Sequence, residues 1–509
     1  MLPKFLNMKK IIFFCGLLSA AFFTAQTAGT LDTSFGTGGK VVGSSAVAFN
    51  YIQASVQQAD GKIVSVGKFG DNMAIFRFNT DGTLDTTFGT TGVLSVNVSS
   101  NSTNEVGNAV AIQSDGKILI GGHSGSTSNP YVVLRIFPNG TLDTLFGTLG
   151  FSTFGFSFSG GSQSTGVKDI KIQPDGKIVV VGTADNTTTI RDISVARLLV
   201  NGTLDVDFSN DGKTTFHETN ADIGLKSKIL SDGSILVAGT SNFEKNLKII
   251  KYFPDGSLDT SYGTAGVMTY TNPAISSITS IKFLDNNDML VGAGTTTVAD
   301  AVVFKLSAAG VLDTTFGVNG IRSVDFDNGS NDSAPNDIIT DALNNIYAVG
   351  TSISSGSTFM NIMCLTNSGA LNNAFSFDGK LFISFTTPSY GAEAFSALIQ
   401  TDSKLVVSGV FTTPSKFALA RFFIQDQTLN TLEVSNSSLN VYPNPARDFI
   451  YVAKENLSLE NEVKIIDGSG RVVLMKVVNK NDNRINVSSL KAGIYYLMLN
   501  GKSTKIIIK

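Results

Sequence analysis

The stretch Arg77-Phe78-Asn79-Thr80-Asp81-Gly82-Thr83-Leu84-Asp85-Thr86-Thr87-Phe88-Gly89 decides the fold, because its pattern occurs seven times along the chain. Each copy is marked by a Leu-Asp pair, or in the seventh by Leu-Asn: Leu31-Asp32, Leu84-Asp85, Leu142-Asp143, Leu204-Asp205, Leu258-Asp259, Leu312-Asp313 and Leu371-Asn372. Successive pairs are 53 to 62 residues apart, and an aromatic residue lies four positions after each leucine. A pattern that recurs at such a spacing is typical of a protein built from stacked repeats.

A second landmark, a polar turn, lies midway through each unit. It is clearest where an Asp-Gly-Lys sequence separates two runs of β-branched residues, at 58–62, 113–117 and 173–177. Asp-Gly between such runs predicts a tight hairpin turn, since both residues tolerate a positive φ. The strands predicted around one such turn lie at residues 93–98, 109–112, 118–120 and 131–136.

Residues 29–424 therefore contain four short strands in each unit and no long segment of helical period. This all-β pattern predicts a seven-bladed β-propeller of four-stranded antiparallel blades. A parallel solenoid fits less well, because its repeat is usually shorter and has no tight turn in the middle. Separate sandwich domains would need more than about 60 residues each.

Charges recur in the units as matched pairs. A basic residue lies eight positions before the acid of the Leu-Asp pair in five places: Arg77 with Asp85, Arg135 with Asp143, Arg197 with Asp205, Lys251 with Asp259, and Lys305 with Asp313. At the corresponding later positions stand Cys364 and Asn372, so both charges are lost together. Such a joint loss predicts an ion pair, because removing one partner of a buried pair costs far more than removing both.

Two residues of this pattern are left over, Asp32 near the start of the repeats and Arg421 at their end. If the pairing holds, we expect them to meet where the ring closes. The alternative is that the basic residues are solvated strand-end charges and each Asp caps its own turn.

The composition and the two ends of the chain further limit the possible partners and location of the protein. The 509 residues carry a formal net charge of −3, which disfavours nucleic acid as a partner. Residues 1–25 have the basic start and apolar run of a signal peptide. Its removal leaves Cys364 as the single cysteine and no apolar run of the roughly 18 residues that a transmembrane helix needs. We expect a monomer that is stabilised by packing alone.

The repeat pattern stops after Phe423, and residues 425–440 have the polar composition of a linker. Residues 441–509 alternate apolar and polar positions, with a turn at 467–470. This segment predicts a second, small β-sandwich domain.

The repeated motif, with its Asp-Gly-Lys turn, its Arg-Phe pair and Asp-Gly-Thr-Leu-Asp, resembles the delta-60 repeat of bacterial secreted proteins. The resemblance covers some 390 residues, is strongest in the first three units, and is weaker in the fifth to seventh. It implies a β-propeller-like fold, and it supplies no catalytic residues.

The tail resembles the type A C-terminal sorting domain of the type IX secretion system. The residues that carry the resemblance are Tyr442-Pro443-Asn444-Pro445, the Asp467–Val472 turn, Gly493 and Tyr495 in the Leu490–Tyr496 motif, and the basic end from Lys505 to Lys509. It implies passage through the periplasm and outer membrane of a Bacteroidetes-type bacterium, with the secretion machinery as a partner. The protein is then expected to be secreted or held on the outer-membrane surface.

No catalytic or cofactor-binding constellation is found in the sequence. His123 and His217 are the only histidines, and neither has a second histidine at metal-binding spacing. Asp-Gly-Thr-Leu-Asp at residues 81–85 could offer oxygens to calcium but lacks the spacing of known calcium loops.

The favoured function is therefore a binding scaffold without enzymatic activity. Loops such as 159–165 and 328–335 differ most between units, and an unidentified extracellular protein or glycan would bind to such loops. The alternative is a glycan lyase or hydrolase whose carboxylates line the mouth of the propeller channel.

Overall fold

A computed structural model describes the chain at residues 27–43, 50–98, 104–125, 131–156, 166–187, 190–218, 221–296, 300–326, 331–332, 334–354, 357–385, 391–425, 439–454, 457, 461–467, 471–499 and 502–509. The predicted signal peptide, most of the predicted linker and the loop 159–165 lie outside the described residues, as do 328–330 and 333. The chain divides into two compact units, residues 1–427 and 428–509. Among the residues described, no helix is long and apolar enough to cross a membrane.

The first unit is all β, and its described strands form seven antiparallel sheets, which are the predicted blades. Their strands are β1 (Lys40–Val42); β2 (Tyr51–Gln57), β3 (Ile63–Phe69), β4 (Asn72–Phe78) and β5 (Val93–Val96); β6 (Val106–Ile112), β7 (Ile118–His123), β8 (Tyr131–Ile136) and β9 (Phe151–Phe154); β10 (Gly166–Ile172), β11 (Ile178–Thr187), β12 (Ile190–Leu198) and β13 (Lys213–Phe216); β14 (Ile223–Ile229), β15 (Ile235–Ser241), β16 (Asn246–Tyr252) and β17 (Val267–Thr271); β18 (Ile275–Phe283), β19 (Met289–Thr295), β20 (Ala301–Leu306) and β21 (Ile321–Val324); β22 (Asn331–Asp332), β23 (Asp337–Thr340), β24 (Ile346–Ser354), β25 (Ser357–Leu365) and β26 (Lys380–Ile383); and β27 (Ala392–Ile399), β28 (Lys404–Thr412) and β29 (Ser415–Phe423).

The sheets are arranged as a closed ring. The inner strands β2, β6, β10, β14, β18, β23 and β27 each contact the next, and β27 contacts β2. The first strand closes the ring, since β1 pairs with β29 in the register Lys40↔Ala420 to Val42↔Ala418 and so completes the seventh blade. The seven-bladed propeller predicted from the repeats is confirmed.

The connections between strands alternate between the two ends of each blade, because neighbouring strands are antiparallel. One end, which we call the turn face, carries the turn between the inner and second strands and the loop between the third and outer strands. The other end, the crossover face, carries the hairpin between the second and third strands and the connection to the next blade. The Asp-Gly-Lys turns and the Leu-Asp loops therefore share the turn face.

The core of the ring lies between blades rather than within them. One cluster joins Val64 and Ile75 of the first blade to Ile120 and Val132 of the second. The phenylalanine that follows the Leu-Asp pair in most units is fully buried at such a boundary, as with Phe35, Phe88, Phe146 and Phe208. Burying a large aromatic side chain contributes roughly 1.5–3 kcal/mol, so these residues hold neighbouring blades together.

The second unit contains two sheets. The first has β30 (Val441–Tyr442), β31 (Phe449–Val452) and β34 (Arg484–Asn486), and the second has β32 (Asn461–Ile466), β33 (Val472–Val478), β35 (Gly493–Leu499) and β36 (Lys502–Ile508). Ile450 and Ile485 of one sheet share a buried cluster with Val463 and Leu497 of the other. This is the predicted small β-sandwich.

Candidate functional site

Residues 77–89, the stretch quoted at the outset, lie at the turn face of the first blade. We use the word joint for the contact that the basic strand residue and the loop acid form there, and for the equivalent contact in each other blade. Arg77 lies on β4, Asp85 lies in the following loop, and the Arg77 Nη2 and Nε atoms are each 2.8 Å from Asp85 Oδ2. The other carboxylate oxygen, Oδ1, accepts hydrogen bonds from the backbone N–H and hydroxyl of Thr87, at 3.0 and 2.6 Å. One buried carboxylate therefore caps its own turn and also pairs with the arginine.

The same basic–acidic contact recurs in every unit where the sequence places the two charges. The shortest nitrogen–oxygen distances are 2.8 Å for Arg135–Asp143, 2.7 Å for Arg197–Asp205, 2.9 Å for Lys251–Asp259, 3.3 Å for Lys305–Asp313 and 2.8 Å for Arg421–Asp32. The last pair joins residues 389 positions apart, at the place where β1 closes the ring.

A second cation reaches the same carboxylate in four units, and sequence reasoning missed it. The lysine of the Asp-Gly-Lys type turn lies 2.8 Å (Lys62–Asp85), 3.4 Å (Lys117–Asp143), 2.9 Å (Lys177–Asp205) and 3.1 Å (Lys404–Asp32) from the acid. These four units are also those whose strand residue is arginine. Ser234 and Asp288 replace the turn lysine where the strand residue is lysine, so a comparison of the units could have found the partnership.

Electrostatics keep these carboxyls ionised. Burial alone would raise the pKa of Asp85, but hydrogen bonds from Lys62 and Thr87 and the charge of Arg77 hold it well below its usual range. The pKa values of Asp32, Asp143 and Asp205 are lowered by the same balance of burial against hydrogen bonds and cations. Each joint is thus a desolvated ionic group with its partners in place.

The joint of the sixth blade lacks both charges of the ion pair, and we call it the neutral joint, although the buried carboxylate of Asp341 lies beside it. Asn372 donates to Asn345 Oδ1 at 3.1 Å, and Asn345 donates to Asp341 Oδ2 at 2.8 Å. Cys364 is fully buried, and burial raises the pKa of its thiol to about 12. This buried thiol is therefore protonated at neutral pH, and amide hydrogen bonds replace the ion pair.

The joints that contain an arginine also contact the next blade. Arg77 donates through Nη1 to the carbonyl of Pro138, and Arg421 donates to the carbonyl of Thr80 at 2.5 Å. The Arg77 guanidinium carbon lies 4.5 Å from the centre of the Phe88 ring. Gly82 has a φ of +84°, and a Cβ there would lie 2.8 Å from the Phe35 ring. These contacts give the joint a structural role in linking blades.

The two histidines lie apart from the joints. Burial, with Lys168 and Lys68 nearby, lowers the pKa of His123 to about 4. His217 Nδ1 lies 2.9 Å from Asp192 Oδ1 and 3.4 Å from Asp222 Oδ2, both of which are buried. The described residues contain no group of three side chains placed to hold a metal ion. Sequence reasoning missed the His217 contacts for two reasons. Asp192 is distant along the chain, and the expected partner of a histidine was a second histidine rather than an aspartate.

A pocket lies on the axis of the ring at its turn-face end. We call it the axial pocket; it has a volume of about 290 Å³ and is bordered by the inner strands of four successive blades. Its charged lining residues are Lys171, Lys226, Lys228, Lys282, Asp285 and Asp337. A glycan-active enzyme is predicted to have carboxylates at the channel mouth, and lysines outnumber carboxylates in this pocket.

The residues that carried the resemblance to a sorting domain lie in the second unit. Asn444 joins the start of this unit to β36, since its side chain donates to Lys505 O at 2.8 Å and accepts from Ile507 N at 2.9 Å. Tyr442 stacks on Tyr451 with ring centres 5.8 Å apart, and it lies beside Pro443. Tyr495 donates to Lys491 O at 2.9 Å, two residues after Gly493 begins β35. Pro445 lies in the segment that leads from β30 to β31, and the backbone N–H of Lys509 donates to Ala446 O at 2.8 Å.

Comparison with protein families agrees with both units. Residues 440–509 match the secretion system C-terminal sorting domain. Residues 58–88, 113–146, 173–208 and 230–262 match the β-propeller domain of unknown function DUF5122. The predicted propeller repeats and type IX sorting domain are confirmed. The sorting domain indicates that the protein is exported and is secreted or located at the cell surface.

Similar individual proteins were also found. Beta-agarase A of Zobellia galactanivorans is 25% identical over 132 residues, which are 26% of this chain and 22% of that protein. The chain thus matches about a fifth of that relative's length. A crystal structure of virginiamycin B lyase from Staphylococcus aureus with quinupristin is 11% identical, with a TM-score of 0.44 over 75% of this chain and 98% of that chain. The polysaccharide lyase Uly1 is 12% identical, with a TM-score of 0.40 over 79% and 97%.

Proposed function

We propose that this exported propeller is a binding scaffold whose crossover face recognises an extracellular protein or glycan. It acts by holding its ligand rather than by transforming it. The difference in loop length between the two faces is the observation that supports this proposal.

Connections at the turn face are constant in length. The loop between the third and outer strands has fourteen residues in six blades: 79–92, 137–150, 199–212, 253–266, 307–320 and 366–379. The turn between the inner and second strands has five residues in six blades, as at 58–62, and four in the seventh, at 400–403. This face is occupied by the joints, so its loops are constrained by the packing of the ring.

Connections at the crossover face vary. The chain passes from one blade to the next through three residues at 272–274, six at 217–222, nine at 97–105 and eleven at 155–165. Loops of varied length on a rigid scaffold are where proteins usually carry recognition residues. The crossover face therefore has the property expected of a binding surface.

Two exposed phenylalanines allow a matched test. Phe243 lies in the β15–β16 hairpin on the crossover face and is 64% exposed, and Phe377 lies in the 366–379 loop on the turn face and is 85% exposed. The purified protein is first screened against polysaccharides and extracellular matrix proteins. We expect Phe243→Ala to weaken binding of the selected ligand about tenfold, as is usual for an exposed aromatic anchor, and Phe377→Ala to leave it unchanged.

The opposite result would contradict the proposal. If Phe377→Ala abolishes binding and Phe243→Ala does not, the turn face is the binding surface. Both variants keep buried contacts intact, so their melting temperatures are expected to match that of the parent protein.

A second candidate function is glycan cleavage, which the partial similarity to a beta-agarase supports. His217 is the residue to test, because a histidine whose Nδ1 faces a buried carboxylate can act as a general base through its other nitrogen. The protein is incubated with agarose and with acidic polysaccharides, and new reducing ends are measured. Cleavage that is lost in His217→Gln would establish an enzyme and overturn the scaffold proposal.

A further inference from the structure

The axial pocket brings together lysines from three adjacent inner strands. Lys171 lies on β10, Lys226 and Lys228 lie on β14, and Lys282 lies on β18. Lys171, Lys228 and Lys282 occupy the same position of their strands, because each is the penultimate residue of its inner strand. The other four blades carry Val56, Ala111, Ile339 and Leu398 at this position. The cations are thus confined to one arc of the ring.

Two of the four ammonium groups are held by the protein. Lys171 Nζ lies 2.8 Å from Asp169 Oδ1. Lys228 donates to the carbonyls of Leu284 and Asp285, at 2.5 and 3.1 Å. These two lysines therefore have the partners that a partly buried cation needs.

The other two lysines differ. In the part of the chain that the structure describes, Lys226 and Lys282 neither donate a hydrogen bond nor form an ion pair. Burial lowers the pKa of Lys282; the carboxylates of Asp337 and Asp285 oppose this shift, and the charges of Lys171 and Lys226 add to it. For Lys226, burial is outweighed by the more distant carboxylates of Asp337 and Asp169, which raise its pKa. Both ammonium groups are charged donors that line an open pocket.

The carboxylates near the pocket are already engaged. Asp169 Oδ2 accepts from the backbone N–H and hydroxyl of Ser227, at 2.8 and 2.7 Å. Asp337 Oδ2 accepts from Ala397 N at 3.0 Å, which ties the sixth blade to the seventh. Asp285 is exposed to solvent. Four lysines face three carboxylates, an excess of one positive charge (4 − 3), and two of the carboxylates serve to link blades.

Apart from Ser227, whose hydroxyl donates to Asp169, the rest of the lining is apolar. Phe283, Ile338 and Ile339 border the same space as the lysines. The volume of about 290 Å³ is at the lower end of the range for small-molecule sites. A matching ligand has at least one acidic group and a compact carbon body, because an inorganic anion would leave the apolar surface in water.

We propose that the axial pocket binds a small organic carboxylate, whose acid group is held between the ammonium groups of Lys226 and Lys282. The carbon body of the ligand packs on Phe283 and Ile339. The site lies at the opposite end of the ring from the crossover face, so it does not depend on the function proposed above.

Calorimetric titration of the full protein tests this assignment with three organic probes and with inorganic sulfate. Galacturonate represents a sugar acid, succinate represents a simple dicarboxylate, and galactose is the neutral counterpart of the first. We expect galacturonate or succinate to bind, galactose not to bind, and the affinity to fall as sodium chloride is raised. Binding of galacturonate alone identifies the ligand as a sugar acid, whereas binding of succinate alone identifies an aliphatic acid.

Substitutions of the lining lysines test whether the ligand binds in the axial pocket. Lys226→Met and Lys282→Met are each expected to weaken binding about tenfold or more, since each removes a charge-assisted hydrogen bond. Lys168→Met is the matched control, because Lys168 also lies on an inner strand but does not line the pocket. Lys282→Arg keeps the charge and should retain affinity within a few-fold, which separates loss of the charge from damage to the fold.

Several results would overturn the proposal. They are the failure of both acids to bind at millimolar concentration, equal binding of galactose, equal binding of inorganic sulfate, and an equal loss of affinity in Lys168→Met. None of these probes tests the crossover face. A negative titration would therefore contradict only the axial-pocket proposal, and a negative ligand screen would contradict only the scaffold proposal.

Discussion

Lys62, Arg77 and Asp85 fix the turn-face loop of the first blade, whereas Asn345, Cys364 and Asn372 occupy the same positions in the sixth. The backbone of the two loops is the same in its key contacts. Asp85 N donates to Arg77 O and Asn372 N donates to Cys364 O, both at 2.9 Å. The fold therefore requires the loop and its packing, and it accepts either the basic–acidic pair or the Cys364–Asn372 combination that lacks both of its charges. The strand residue and the loop acid are thus constrained together, because one of these charges without the other in a buried joint is the costly state.

We expect the largest loss of stability when the joint of the first blade keeps its two cations but loses its carboxylate. Asp85→Ala removes the carboxylate that Arg77 and Lys62 share, and we expect the free energy of unfolding to fall by about 3–5 kcal/mol. Denaturant titration followed by tyrosine fluorescence measures it. Asn372→Ala at the neutral joint is the control and is expected to cost only about 1 kcal/mol, because no charge is stranded. Equal losses at the two joints would mean that the charges are solvated and add nothing.

The next effect comes from adding a charge to the neutral joint. Asn372→Asp places a carboxylate beside Asn345 and close to Asp341, with no cation at Cys364 to receive it. We expect a loss of about 1–3 kcal/mol, larger than that of Asn372→Ala, since a desolvated acceptor replaces a donor. Thermal unfolding of the two variants at pH 7 compares them. A stable Asn372→Asp protein would show that this joint tolerates charge.

A smaller effect is expected when the first joint is rebuilt as the sixth. The triple variant Lys62→Asn, Arg77→Cys, Asp85→Asn removes all three charges, and we expect it to lose about 1–2 kcal/mol, less than Asp85→Ala alone. The remaining loss reflects the contacts of Arg77 with the Pro138 carbonyl and the Phe88 ring. The same denaturant titration applies. A triple variant less stable than Asp85→Ala would contradict the view that the charges are removable as a set.

The smallest expected effect is the dependence on pH of the stability difference between the parent protein and the triple variant. The pKa of Asp85 is lower in the folded protein than the value of about 3.9 in an unfolded chain. The stability that this difference supplies is present above pH 4 and is lost as the pH falls through the folded pKa. The stability gap between the parent and the triple variant should therefore be constant from pH 8 to pH 6 and shrink below about pH 4. If the stability difference between the parent and the triple variant instead widened as the pH fell, the result would contradict a lowered pKa of Asp85 in the folded protein.

Much of this architecture could be predicted from the sequence because its causes are local. The Leu-Asp period fixes the number of blades, and the eight-residue spacing places Arg77 and Asp85 side by side across one strand end. The turn lysines could also have been found, since Lys62 and Arg77 occur together in the same units. They were missed because the Asp-Gly-Lys sequence was interpreted only as turn chemistry.

The axial pocket could not be predicted in the same way. Lys171, Lys226 and Lys282 are separated by more than fifty residues each, and only the closure of the ring brings them together. Aligning the units shows that Lys171, Lys228 and Lys282 hold equivalent positions, but not that this position borders a cavity. The contact of His217 with Asp192 likewise depends on how two strands of one blade end, which the pattern of apolar residues does not specify.

If the repeated stretch is a joint that holds the ring together, the Asp32–Arg421 pair at the ring closure should stabilise the protein as one unit. Unfolding of Asp32→Ala, Arg421→Ala and the double variant should be measured under one set of conditions. We expect each single substitution to lower the melting temperature, and the double variant to be no less stable than the worse single one, because the pair is then removed as a unit. Losses that simply add would contradict the claim, since they would show that the two side chains stabilise the protein independently.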